Sequence, residues 1–326
     1  MAHILSIISL AIPLYVNYAG KMKKLTPLLT AVLLTTSLVA CSNEPNENSA
    51  VFETIENPAT ILPTIDMVAT HAIDLDTSIS QLTFVPNSVA PWLGRIIIRD
   101  DDGFLFSTDI EGREPKPVGT GKYIDIFGLA REAAPGVFLA ITEDNKIEAF
   151  IETDNEGSFS PLIYSGESIK AQALCLSKAP SINNATVLTM DGKLNTLDLK
   201  IQDTHIEQSI MDSAQAPKRA KTCTAKQQEQ KDYEFALNKG NRTLKARSLV
   251  EGKLSNKVNV TNGLSVRGAQ NIKHVASTQS NYGGGAYAKG VLALVDKDEQ
   301  RIVFISMSYA ERQLLKAVNQ PEDAPQ

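Results

Sequence analysis

Acidic runs are the first places in this 326-residue chain where side chains could do chemistry. Asp100-Asp101-Asp102 offers carboxylate oxygens, which a hard cation such as Ca²⁺ prefers. Gly103 follows it, between two apolar stretches, and the run reads as a solvated hairpin turn rather than a ligand cluster. Asp74 and Asp76 alternate in Ala72-Ile73-Asp74-Leu75-Asp76, so on a strand they would share one face. That face is either a plain polar surface or the wall of a channel. Ser280-Asn281-Tyr282-Gly283-Gly284-Gly285 could wrap a phosphate with backbone N–H groups. No helix start or P-loop lysine follows, which favours a surface loop. His3, His71, His205 and His274 have no metal-ligand spacing. No nucleophile-elbow motif is present, and no Ser-His-Asp arrangement is readable.

Covalent chemistry is better signalled near the N-terminus. Met22-Lys23-Lys24 makes a positive region, Leu28 to Leu38 is uncharged and apolar, and Leu38-Val39-Ala40-Cys41 resembles a bacterial lipobox. The cysteine thiol would receive the diacylglyceryl group, and cleavage would leave Cys41 as the mature N-terminus. Residues 1–40 are then an upstream extension plus a removed signal. Met1 to Gly20 is also apolar, but Pro13 and Asn17 interrupt it and its length is marginal for a span. A start at Met22 is the simpler reading. Residues 1–40 contain three lysines and no acid, so the mature chain holds 29 basic and 37 acidic residues, net −8. That excludes the basic surface which nucleic-acid binding needs. Ser42, rather than aspartate, after the lipidated cysteine favours the outer membrane, facing the periplasm. The remaining cysteines, Cys175 and Cys223, are a disulfide of an oxidising compartment or two buried apolar thiols.

These residues must be positioned by short strands. Ser42 to Ala50 is polar and aperiodic and reads as the start of a tether spanning residues 41–66. From residue 67 to 310, apolar runs pair across turn signals. Arg95–Arg99 and Phe104–Thr108 flank Asp100–Gly103. Val137–Ile141 and Lys146–Ile151 flank Glu143–Asn145. Thr186–Thr189 and Lys193–Leu199 flank Asp191-Gly192. Asp232–Leu237 and Arg242–Arg247 flank Asn238–Asn241. Gly290–Val295 and Gln300–Ile305 flank Asp296–Glu299. Hairpins recurring every ~40–50 residues predict an all-β, five- or six-bladed β-propeller, each hairpin being the middle of a four-stranded blade. A sixth blade would be completed by Ala72–Asp76 and the chain end. The tail, residues 311–326, is part helical. The apolar spacing predicts a helix from Tyr309 to Val318 with Leu314, Leu315 and Val318 on one side.

Several of these runs resemble the β-propeller phytases. Gly103–Glu114 followed by Pro117–Ile126 is similar to that family's first blade. Asp154-Asn155-Glu156-Gly157-Ser158-Phe159-Ser160-Pro161-Leu162 is similar to its second-blade turn, and Ala173–Pro180 with Asp191-Gly192-Lys193 to its third. The resemblance spans most of residues 93–305 and is better in order and spacing than in identity. It implies calcium-dependent phosphate release from phytate, with Ca²⁺ held by clustered carboxylates and basic side chains on the phosphates. Of the family's ligand positions this chain keeps Asp125; an active calcium site would need Asp74, Asp76, Glu143 and Asp144 to converge with Asp125 at one end of the axis. The resemblance also puts Cys175 and Cys223 at equivalent places on adjacent inner strands, close enough to imply a disulfide.

The family pattern is not kept. Only Ala90-Pro91-Trp92 stands near the place of the family's Asp-Asp-Pro-Ala-Ile-Trp motif. Thr142-Glu143-Asp144 replaces Ser-Asn-Arg, so a phosphate-binding arginine is missing. Lys170 or Ala171, Lys221, and Thr261-Asn262-Gly263 replace three glutamate positions. The expectation is therefore a lipid-anchored, phytase-like propeller of the cell envelope whose calcium site is degenerate and whose role is binding or scaffolding. Its partners would be the bilayer through Cys41, and an envelope protein or a phosphorylated small molecule. The alternative is an active calcium-dependent 3-phytase.

Overall fold

The computed structural model describes residues 64–129, 135–175, 184–216, 233–238, 243–248 and 255–318. Cys41, Lys221 and Cys223 lie outside them. The described chain is nearly all β. Two strands open it: β1 (Thr64–Val68) and β2 (His71–Asp74). A first sheet follows, with β3 (Ile79–Val85), β4 (Arg95–Asp100), β5 (Leu105–Thr108) and β6 (Lys116–Val118) in order. The second holds β7 (Tyr123–Leu129), β8 (Val137–Thr142), β9 (Ile147–Glu152) and β10 (Phe159–Pro161). After β11 (Ile163–Gly166), the third holds β12 (Ala171–Cys175), β13 (Asn184–Thr189), β14 (Lys193–Gln202) and β15 (His205–Gln215), with β11 parallel to β15. The fourth joins β16 (Tyr233–Asn238), β17 (Thr243–Ser248) and β18 (Ser255–Thr261) to β1, which runs parallel to β18. The fifth joins β19 (Ile272–Thr278), β20 (Val291–Asp296) and β21 (Arg301–Ser306) to β2. Helix α1 (Met307–Val318) follows directly.

All five expected hairpins are present. Three share one turn design. The N–H groups of Gly103, Asn145 and Gly192 donate to the carbonyls of Asp100, Thr142 and Thr189 at 3.2, 2.9 and 3.0 Å. Those three turn residues have positive φ, a region that favours glycine and tolerates asparagine. The residue opening each turn caps it with its side chain: Asp100 accepts from Phe104 N–H, Thr142 from Lys146 N–H and Thr189 from Lys193 N–H. Asp100–Asp102 is thus turn chemistry.

The middle strands of the first, second and fifth sheets carry continuous apolar runs because both faces of those sheets are covered. Ile96–Ile98, Val137–Ile141, Val291–Leu294 and Ile302–Ile305 are fully buried. Successive core clusters join the fourth sheet to the fifth, the fifth to the first, the first to the second and the second to the third. This face-to-face succession of small sheets is β-propeller-like.

Three expectations shift. The segment Ala72–Asp76 supplies β2, the outer strand of the fifth sheet, instead of helping to build a further sheet, because its register lies on β21. The described fold begins at Thr64, three residues before the expected boundary, since Ile65 and Met67 are buried against the fourth sheet. The helix starts at Met307, with Met307, Ala310 and Leu314 buried. Leu315 is half exposed, because one residue further turns the side chain by about 100°.

Phe138 is fully buried, stacked on Phe150 at 5.0 Å and edge-on to Phe159 at 5.3 Å. Phe138→Ala should cost ~3–5 kcal/mol, measured as a lowered urea midpoint with unchanged slope.

Candidate functional site

Four strands, β3, β7, β12 and β19, form the inner edges of their sheets and pack on one another in the order β19–β3–β7–β12. Each carries a bulge near its start: Ile79/Gln81, Tyr123/Asp125, Ala171/Ala173 and Ile272/His274. A bulge re-aims the residue beside it. The residues that follow, Gln81, Asp125, Ala173 and His274, are therefore structural equivalents, and three of them are polar.

Asp125 is the best connected. Its Oδ1 accepts from the Gln81 side-chain amide at 2.7 Å and from Ile126 N–H at 3.0 Å. Its Oδ2 accepts from Leu174 N–H at 2.7 Å. One buried carboxylate thus ties together the first, second and third sheets. Gln81 also donates to the Ile126 carbonyl at 3.1 Å, and Gly128 N–H donates to Thr83 Oγ1 at 2.7 Å. His274 Nε2 donates to the Leu82 carbonyl at 3.1 Å, linking the fifth sheet to the first. Nearby, Arg99 donates to the Tyr123 carbonyl at 3.3 Å. Burial lowers its pKa from the ordinary guanidinium value, against the opposing pull of Asp125, Asp101 and Asp100.

The residues named as calcium ligands do not converge. Asp125 is on an inner strand. Asp74 ends β2 on the outer edge of the fifth sheet, exposed, opposite Arg301. Asp76 lies beyond that strand and is exposed, so the two do not share a strand face. Glu143 and Asp144 form the exposed tip of the β8–β9 turn. Strand order separates them: β2 is an outer strand of one sheet, β7 the inner strand of another. Among the described residues no three of His, Cys, Asp and Glu are grouped as a metal site needs. Asp101 is held by Lys273 in an ion pair. In the glycine-rich loop, Tyr282 is buried, stands edge-on to Phe84 and donates to the Arg95 carbonyl at 3.1 Å. That loop is packing more than a phosphate cradle. Cys175 is buried and disulfide-bonded.

Two groups that sequence reading passed over matter here. Gln81 was detectable as a lone amide in the apolar run Ile79–Val85. Arg95 and Glu152 form a buried ion pair at 3.4 Å between the first and second sheets. Arg95 also donates to the Asn155 carbonyl and lies against Gly157, whose φ is positive. Burial, ahead of the opposing pull of Arg95, raises the Glu152 pKa. What these groups do chemically is join sheets; none is placed as a nucleophile beside a base.

No family model and no curated protein matches the chain. Among solved structures, the likenesses include BBS1N in complex with ARL6DN, at 9% identity and TM-score 0.32 over 72% of this chain and 67% of that one. Others are Saccharomyces cerevisiae Sqt1, at 11% identity and TM-score 0.30 over 70% and 59%, and Chaetomium thermophilum Raptor, at 11% and 0.41 over 73% and 29%. The chain therefore spans well under two thirds of the last two. At these scores the fold rests on the sheet order described above.

Asp125→Ala leaves Leu174 N–H buried without that acceptor and leaves the Gln81 amide only the Ile126 carbonyl, and should cost ~2–4 kcal/mol. Asp74→Ala should stay within about 0.5 kcal/mol of wild type. Urea unfolding of the pair checks the contrast; equal effects would remove Asp125 from its role. Arg95→Met should strand Glu152 as a buried unpaired acid, raising its folded pKa further. An acid with a raised folded pKa loses stability as pH climbs from its unfolded to its folded value. The Arg95→Met deficit should therefore be larger at neutral pH than at acid pH.

Proposed function

We propose that this protein is a lipid-anchored, five-bladed propeller of the bacterial cell envelope. It acts in binding or scaffolding and keeps a phytase-like arrangement without a working calcium centre. The observation that carries the non-catalytic reading is Asp125. It is the acid that best matches the family's ligand pattern, and both of its oxygens are taken by donors that join three sheets. A cation there would have to strip those donors, and among the described residues no three of His, Cys, Asp and Glu are grouped to hold it. The anchor rests on the Leu38-Val39-Ala40-Cys41 signal. An envelope setting also suits a disulfide at Cys175, because such bonds persist in oxidising compartments. Cys41 being the lipid site, Cys223 is its partner in this reading. Fold alone does not decide function; the proposal stands on those residues.

The test has two arms. Cells expressing the full chain and its Cys41→Ala variant are labelled with radioactive palmitate and fractionated. Label and outer-membrane recovery should both be lost in the variant; label that survives it sinks the anchor. Purified protein is then titrated with Ca²⁺ by calorimetry and assayed for phosphate release from phytate. Silence in both is expected. Micromolar calcium binding with chelator-sensitive release would instead establish an active phytase.

A further inference from the structure

The end of the sheets opposite the hairpin turns holds exposed apolar side chains on a fastened frame. There the β3–β4 loop meets the β19–β20 loop. Val89 and Trp92, in the first of these, are 75% and 70% exposed. Their loop is tied down on the protein side. The buried Asn87 side chain accepts from the N–H groups of Val89 and Ala90 at 3.2 and 2.9 Å. Leu93 and Gly94 N–H donate to the carbonyls of Ala90 and Pro91 at 2.8 and 3.1 Å. The Tyr282 ring packs so closely on Gly94 that a Cβ there would meet it at 2.8 Å, and a Cβ on Gly283 would stand 3.2 Å from that of Trp92. An apolar pair that its own frame holds out in water marks a contact surface.

Two observations say what it meets. The first is where the chain enters the fold. Strand β21 runs away from its hairpin turn, so α1 starts at this end, and Met307 N–H donates to the Gly290 carbonyl, at the close of the β19–β20 loop, at 3.1 Å. Met307, Ala310 and Leu314 share a core with Ile65 and Met67 of β1. Ser306 N–H, at the finish of β21, donates at 3.0 Å to the hydroxyl of Thr70, which separates β1 from β2. The described fold thus begins near this end, at Thr64, 23 residues after Cys41. A chain of that length reaches at most ~80 Å whatever its path. A lipid on Cys41 therefore keeps a bilayer within reach of Trp92, and a tethered surface needs little affinity of its own to engage.

The second observation is charge. Residues 86–94 carry none, and residues 279–290 carry only Lys289, which is exposed. On α1, Arg312 and Lys316 are exposed with Leu315 between them, and Glu311 is half-buried. Asp66 of β1 accepts from the Asn259 amide at 2.9 Å. The other acids of this end, Asp109, Glu111, Glu114, Asp154, Glu156 and Asp203, stand on the outer turns of the first three sheets. Arg113 pairs with Asp109 and Glu111 there, and Lys116 with Glu156. An exposed indole and aliphatic groups with cations beside them suit a bilayer surface, where tryptophan settles at headgroup level and lysine and arginine meet anionic lipid.

We propose that this end lies on the membrane, with Val89 and Trp92 seated among the headgroups and Lys289, Arg312 and Lys316 over anionic lipid. The surface rests on the lipid-anchor reading: the acyl group holds the protein to the bilayer, and the Trp92 apex fixes which end faces it. The hairpin turns then point away from the membrane.

Trp92 is the chain's only tryptophan, so its emission reads this surface alone. The full-length lipoprotein is placed in vesicles of phosphatidylethanolamine and phosphatidylglycerol, with and without brominated acyl chains. Trp92 emission should lie to the blue of an indole in water and be quenched severalfold by the brominated lipid. Val89→Asp, which keeps the reporter, should move the emission to the red and remove the quenching. Lys289→Glu with Arg312→Glu and Lys316→Glu should weaken the quenching; quenching that survives them would overturn the role given to the cations. Met190→Asp, an exposed site at the hairpin-turn end, should change nothing. Emission of a water-exposed indole from the anchored protein, or quenching lost in Met190→Asp and kept in Val89→Asp, would overturn the surface. A blue shift that grows with protein concentration and escapes bromine would show a second copy on the apex and equally overturn it. Palmitate labelling of Cys41 judges the anchor separately. Labelled protein with Trp92 in water keeps the anchor and removes the surface; unlabelled protein whose Trp92 is quenched by added vesicles keeps the surface and removes the anchor.

Discussion

Each sheet here is too small to fold alone, and the middle strands of the first, second and fifth carry runs that are apolar on both faces. Ile96–Ile98 and Ile302–Ile305 cannot present one side to water and the other to a core. A sheet of that kind must be covered twice, and a succession of like sheets, each covering the next, satisfies the requirement. The order fourth, fifth, first, second, third follows from the core clusters that join them. The N-terminal strands serve the same need. β1 and β2 are not hairpin strands of their own; they lie on the outer edges of the fourth and fifth sheets, where Ile65, Met67 and Ile73 complete apolar layers made far along the chain.

Packing of side faces leaves the inner strands to be joined by other means. There the chain uses single polar groups set by bulges: Gln81 reaching to β7, Asp125 to β12, and His274 to β3. A buried carboxylate that accepts three hydrogen bonds is well supported, because the cost of taking it from water is met by donors already in place. The same support makes it a poor metal ligand. Structural use and cation binding draw on the same oxygen lone pairs, and here the sheet contacts hold them.

Two ends of the sheets are treated differently. Where the β3–β4 and β19–β20 loops meet, Tyr282, Gly94 and Arg95 are interlocked, and the Arg95–Glu152 pair carries the junction to the second sheet. At the hairpin-turn end the turns are regular and locally capped, so the residues beside them are free to vary without cost to the fold.

How much of this was legible beforehand can be judged residue by residue. The five hairpins were readable because turn chemistry is local: Asp100–Gly103, Glu143–Asn145 and Asp191-Gly192 state their own geometry, and the apolar runs between them state burial. The signal expected to end at Cys41 is likewise read as a linear pattern, and it lies outside the described residues. Sequence could not say that Ala72–Asp74 would lie against β21, because strand partners distant in the chain are chosen by which apolar edge is left uncovered. Nor could it place Asp74 and Asp125 on outer and inner strands, or show that Asp125 is spent on Gln81 and Leu174. Residue type names the chemistry a carboxylate can do. Only the tertiary structure decides what stands within hydrogen-bond reach of it, because in a succession of packed sheets the nearest donors come from strands tens of residues away.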